Sequence, residues 1–102
     1  MASLTYRSKI ESEDTDSLFE AVLTLENIDD CYKFFGDICT IKEIESISQR
    51  LEVAKLLTQK NTYNEIEKKT SASTATISRV NRSLKYGLGG YDLVLDKLNK
   101  ID

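Results

Sequence analysis

From Asp14 onward, apolar residues recur three and four positions apart, the period of one helix face. Leu18, Val22 and Leu25, with Phe19 and Leu23, form the first such stripe. Asn27-Ile28-Asp29-Asp30 interrupts it, and Asp29 or Asp30 can cap a second short helix whose apolar face is Cys31, Tyr32, Phe35 and Ile38. Thr40 and Glu43 have the spacing of a capping box, in which hydroxyl and carboxylate each satisfy a backbone N–H of the opening turn. The long helix they start runs to near Gln59, with Ile41, Ile44, Ile47, Leu51, Ala54 and Leu57 as its stripe. Lys42, Glu45, Gln49, Glu52 and Lys55 make the opposite face, and Arg50 lies beside the stripe.

Thr62 and Glu65 form a second capping box and open a short helix with Ile66 inward and Lys68 and Lys69 outward. Thr70-Ser71-Ala72 is a turn, and Ser73 caps the helix after it, whose inward positions are Ile77, Val80 and Leu84. Gly87 is expected to end this helix in the left-handed conformation. A last helix follows Gly89-Gly90 and carries Tyr91, Val94, Leu95, Leu98 and Ile101. The pattern predicts an all-α, six-helix domain over residues 14–102, preceded by a polar, flexible N-terminal arm at 1–13.

Composition narrows the function classes. The chain has 102 residues, enough for one domain, with no Pro and four Gly, too few turn residues for a sandwich or barrel. No apolar run approaches the roughly 20 residues of a membrane span, and the N-terminus lacks the apolar core of a secretory signal. No membrane association and a cytoplasmic location are expected. Cys31 and Cys39 are eight apart and there is no His, which argues against a Cys/His zinc site and against His-based general acid–base catalysis. The cysteines read as small buried side chains in a reducing compartment, and Tyr32, Phe34 and Phe35 as core rather than a ligand cage. The acidic pairs Asp29/Asp30 and Glu43/Glu45 read as caps and solvated surface. The chain is not expected to be an enzyme.

Net charge is −3, but its distribution is uneven. Glu11 to Glu52 holds twelve acidic and three basic residues; Thr62 to Tyr86 holds Lys68, Lys69, Arg79, Arg82 and Lys85 against Glu65 and Glu67. Two short helices joined by a tight turn, with basic charge gathered on them, predict a helix-turn-helix at 62–86 that binds double-stranded DNA. With Ile77, Val80 and Leu84 inward, Thr74, Ala75, Ser78, Arg79 and Arg82 face a major groove. Lys68, Lys69 and Lys85 suit phosphates, and Ser73 joins the DNA-facing set at the helix start. Two positions depart from the usual pattern: Glu67 stands where a small residue packs against the second helix, and Ser71 where the turn has Gly.

Ala75-Thr76-Ile77-Ser78-Arg79, followed by Ser83-Leu84-Lys85, resembles the recognition segment of the Trp repressor family. Ile47-Ser48-Gln49-Arg50-Leu51 resembles the Arg-bearing segment of that family's long helix, with one residue deleted between the two. The resemblance covers about Ile38 to Tyr86 and suits the Trp-repressor-like branch of Gram-positive bacteria. It implies an intertwined homodimer that reads a near-palindromic operator as a transcriptional regulator, a repressor. It also implies an indole-binding set at Thr40, Arg50, Arg79 and Ser83. Val80 stands where tryptophan-responsive members carry Gly, and its branched side chain competes with an indole. No cofactor is required; a small-molecule corepressor fits the family, but L-tryptophan conflicts with Val80. The alternative is a helix-turn-helix protein-interaction module without direct DNA binding, which the net acidity favours.

Overall fold

The structure, a computed structural model, describes residues 9–101. Six helices follow in order: α1 Glu13–Val22, α2 Ile28–Ile38, α3 Ile41–Thr58, α4 Tyr63–Thr70, α5 Thr74–Tyr86 and α6 Gly90–Ile101. There is no strand among the described residues, and none of their helices is long and apolar enough to cross a membrane. Of the arm expected at 1–13, residues 1–8 lie outside the described residues; Lys9 and Ile10 are helical, and Ser12 caps α1 by accepting the Thr15 N–H at 3.0 Å.

The chain divides into two compact units between Ile44 and Glu45. In the first, α2 begins with Asn27 as its cap, not Asp29 or Asp30. Asn27 Oδ1 accepts the Asp30 N–H at 2.8 Å, and Asp30 turns back to accept the Glu26 N–H at 3.1 Å. An amide two residues earlier already satisfies the first-turn donors, which leaves both aspartates inside the helix start, where its dipole favours acid. The Thr40–Glu43 box forms in both directions, at 2.8 and 3.1 Å, and these bonds hold the Glu43 carboxyl below its ordinary value.

Neither α1 nor α2 contains a buried residue. The expected aromatic core is absent: Phe34 and Phe35 meet edge to face but are only half-buried, and Tyr32 is exposed. Cys31 is likewise exposed and Cys39 half-buried, so the cysteines are not core either. An amphipathic pair of short helices predicts which face is apolar, but it does not supply the surface that covers that face.

The second unit holds the core. Val53, Ala54 and Leu56 of α3, Ile66 of α4, Ala72 of the turn, Ile77 and Val80 of α5 and Leu95 of α6 are buried together. Leu51, Leu57, Tyr63, Leu84 and Tyr91 pack around them. The buried stripe of α3 is therefore rotated from the expected one. Ala54 is on it, but Val53 and Leu56 join it, while Ile41 and Ile47 are exposed. Gln49 belongs to the packed side too: its Nε2 donates to the Thr70 carbonyl at 3.1 Å, tying α3 to the end of α4. On α6 Leu95 is buried, while Val94 and Leu98 are exposed.

Local chemistry sets the boundaries. Thr62 and Glu65 close their box at 2.9 and 3.2 Å, and these bonds hold the Glu65 carboxyl below its ordinary value. Asn61 Nδ2 donates to the Leu56 carbonyl at 3.0 Å and helps end α3. Gly87 ends α5 as expected, but not in the left-handed region: its φ is −84°. Glycine is needed there for proximity. Its N–H donates to Ser83 O, and a Cβ on Gly87 would lie 2.5 Å from that same carbonyl oxygen. Gly87→Ala is therefore expected to destabilise the protein by about 1–3 kcal/mol, the range for forced overpacking. Thermal unfolding followed by circular dichroism measures this, and an unchanged midpoint would show that the α5 terminus yields without cost.

Candidate nucleic-acid interface

Tyr63 to Tyr86 forms two helices joined by Ser71-Ala72-Ser73. The inner face is apolar and closed: Ile66 and Ile77 have no exposure, Val80 has 1%, and Ala72 anchors the turn at 4%. With those residues fixed inward and Leu84 packed against the core, the 3.6-residue period turns the opposite face of α5 to solvent. Lys68, Lys69, Ser73, Thr74, Ala75, Ser78, Arg79, Arg82 and Lys85 are all exposed. The small residues lie in the first turns of α5, and the basic ones continue toward its C-terminal end.

Internal bonds hold part of this surface. Ser73 Oγ accepts the Thr76 N–H at 3.1 Å, as an N-cap should, and also donates to Thr76 Oγ1 at 3.1 Å. Lys69 Nζ donates to Asn61 Oδ1 at 3.2 Å. Thr74 Oγ1 donates to Glu67 Oε1 at 2.7 Å, joining the first residue of α5 to the middle of α4. The sequence marks Glu67 only as a departure; its partner seven residues on cannot be read without the turn geometry.

The turn itself is well held. Ser71 adopts φ 61° and ψ 14°, the left-handed conformation that Gly would take more easily, and its N–H donates to the Glu67 carbonyl at 2.9 Å. Thr70 Oγ1 donates to the Ile66 carbonyl at 2.7 Å and accepts the Ala72 N–H at 3.1 Å. The Gly-to-Ser departure thus keeps the usual backbone form and carries the strain of a side chain there.

The residues of the indole-binding set lie as follows. Thr40 belongs to the first unit, its hydroxyl engaged in the capping box; Arg50, Arg79 and Ser83 belong to the second. Arg50 is exposed, and its Nε donates to the Ser46 carbonyl at 3.4 Å. Arg79 and Ser83 are exposed on α5. Val80 is part of the hydrophobic core. Among the described residues, no group of three or more His, Cys, Asp or Glu side chains could hold a metal ion.

A family model described as Trp repressor protein matches residues 13–99, nearly the whole described chain. The chain is 49% identical over 94 residues to the uncharacterized protein YerC of Bacillus subtilis (strain 168), covering 92% of this chain and 90% of that one. Among solved structures it resembles a candidate Trp repressor from Staphylococcus aureus, with 53% identity, a TM-score of 0.88, and 91% and 93% of the two chains covered. A TrpR-like protein from Eubacterium eligens ATCC 27750 superposes with a TM-score of 0.87 at 54% identity, covering 90% of this chain and 95% of that one. The chain belongs to the Trp repressor family.

The left-handed Ser71 yields a stability prediction. A side chain in that conformation costs about 1–2 kcal/mol, and Gly returns part of the gain through its freer unfolded chain. Ser71→Gly is expected to stabilise the protein by about 0.5–1 kcal/mol. The check is a higher urea midpoint at unchanged slope; a lower midpoint would mean that the Ser71 side chain contributes more than its strain costs.

Proposed function

We propose that this member of the Trp repressor family is a sequence-specific DNA-binding transcriptional regulator, a repressor, that reads a near-palindromic operator as a homodimer. The observation that supports it best is the division of α5 into two faces. Ile77 and Val80 are sealed in the core, while small side chains and then Arg79, Arg82 and Lys85 stand exposed. Small residues let a helix approach base edges closely. Arginine can bond guanine, and the lysines neutralise phosphate.

The first unit's surface supports the dimer. Leu18, Phe19, Leu23, Ile28, Tyr32, Ile38 and Ile41 are exposed, and α1 and α2 contribute nothing to the core. Apolar surface on this scale is ordinarily covered by another chain. A twofold pair also provides two reading helices about one DNA turn apart, which matches a palindromic site.

L-Tryptophan is not the corepressor in this reading. Val80 is 1% exposed and packed with Ile77 and Val53, so the room a Gly would leave next to Arg79 is filled. The regulator binds DNA without a required cofactor, and any effector it uses has another chemistry.

Gel-shift titrations against promoter duplexes at several salt concentrations test the DNA reading. Arg79→Ala is expected to weaken specific binding by about 1–3 kcal/mol per half-site, the worth of one bidentate arginine–guanine pair. Lys68→Ala, removed from both copies, should lower the log–log salt slope by about 2. Salt-independent association, or retention of protein partners from nuclease-treated lysate with no DNA binding, would move the function to a protein-interaction module. Sedimentation equilibrium should give twice the 11.6 kDa chain mass, and a monomer would remove the palindrome from the reading. Adding L-tryptophan should change operator affinity by less than about twofold, well under the typical 1–3 kcal/mol coupling of an effector.

A further inference from the structure

The bond between Glu67 and Thr74 is the feature of this surface that capping and core packing leave unexplained. We propose that Glu67 makes Thr74 an acceptor-only reader of the operator, selecting an exocyclic amino group in the major groove: cytosine N4 or adenine N6. The proposal rests on the DNA-binding reading above and adds to it the base chemistry of one position.

A threonine hydroxyl has one proton and two lone pairs, and a rotating hydroxyl serves as donor or acceptor with little discrimination. Thr74 does not have that freedom. A carboxylate only accepts, so the 2.7 Å bond assigns the Thr74 proton to Glu67 Oε1, at the length of a charge-assisted bond. What Thr74 Oγ1 can still offer outward is a lone pair. Thr74 is exposed and is the first residue of α5, the end of a reading helix that meets base edges. Negative charge at this point disfavours a phosphate and favours a base-edge donor. In the major groove only cytosine and adenine present one; guanine O6 and N7 and thymine O4 are acceptors and would face Thr74 lone pair to lone pair. The lysines and arginines, which donate only, read the opposite class of atom.

The test is selection of bound duplexes from a pool with a randomised window of about 24 base pairs, two helical turns and their flanks. Wild type, Glu67→Ala, Glu67→Gln and Thr74→Val are compared, with folding of each verified by thermal melting. Wild type should favour cytosine or adenine over guanine and thymine by about tenfold at one position of each half-site. Glu67→Ala and Thr74→Val should reduce that preference to within about twofold while the preferences at other positions persist. Glu67→Gln, whose amide oxygen can still accept the Thr74 proton but which lacks the charge, should retain a preference between that of wild type and that of Glu67→Ala. An unaltered preference in both Glu67→Ala and Thr74→Val would overturn the proposal. So would a loss spread evenly over all positions, which is the result of a merely structural tie. If wild type selects no sequence at all, the DNA-binding reading fails and the proposal with it, a result distinct from either.

Discussion

The helix-turn-helix depends on one buried face: Ile66 of α4, Ala72 of the turn, and Ile77 and Val80 of α5 closed over Val53 and Ala54 of α3. Helices of 8 and 13 residues have little stability alone, because nucleation is costly and few bonds repay it. Burial of that shared face is what holds them. Four fully buried branched side chains sit at its centre, each worth about 1.5–3 kcal/mol of transfer free energy by side-chain area. Once Ile77 and Val80 are committed inward, the outward positions of α5 have no remaining freedom. The proposed reading face is a consequence of the core.

That commitment also explains how the two units differ. The second unit gathers all eight buried apolar residues of the described chain, whereas the first arranges strongly amphipathic helices with none buried. In the proposed dimer, the apolar residues of α1 and α2 would form half of a core that pairing completes. A regulator that requires two reading heads for one palindrome can use the same event to fold and to become competent for binding.

Much of this is legible in the sequence because the signals are local. Both capping boxes, the Ser73 cap, the inward Ile66, Ile77 and Val80, and the exposure of all nine DNA-facing candidates follow from spacing and short-range chemistry. The differences between sequence and structure share a cause. Helical period assigns Cys31, Tyr32 and Phe35 to a core, yet periodicity identifies a face and not its cover. The α3 stripe is displaced because Leu, Val and Ala crowd together along Leu51 to Leu57, so that two adjacent stripes are almost equally apolar. Gln49 falls on the solvent side of the pattern because a side-chain bond to Thr70, 21 residues away, has no local signature. At Gly87 the residue type is informative and the reason is not: proximity to Ser83 O, rather than handedness, requires it.

The two departures from the ordinary turn pattern are resolved together by the geometry. Glu67 uses its carbonyl to accept the Ser71 N–H and its carboxylate to accept the Thr74 hydroxyl, so a single residue holds both ends of the turn. Gly at the turn is valued for entering the left-handed region without strain. Ser71 enters it nonetheless, with those two bonds closing on either side. A small residue in place of Glu67 would pack against α5 but could not bond to it. The longer side chain replaces close packing with a directed, polar link, and it puts a negative charge at the leading edge of an otherwise basic surface. Such a charge lowers affinity for DNA in general. A site that accepts this cost gains if the charge rejects wrong bases more strongly than it weakens binding to the right one, because discrimination depends on the difference between affinities.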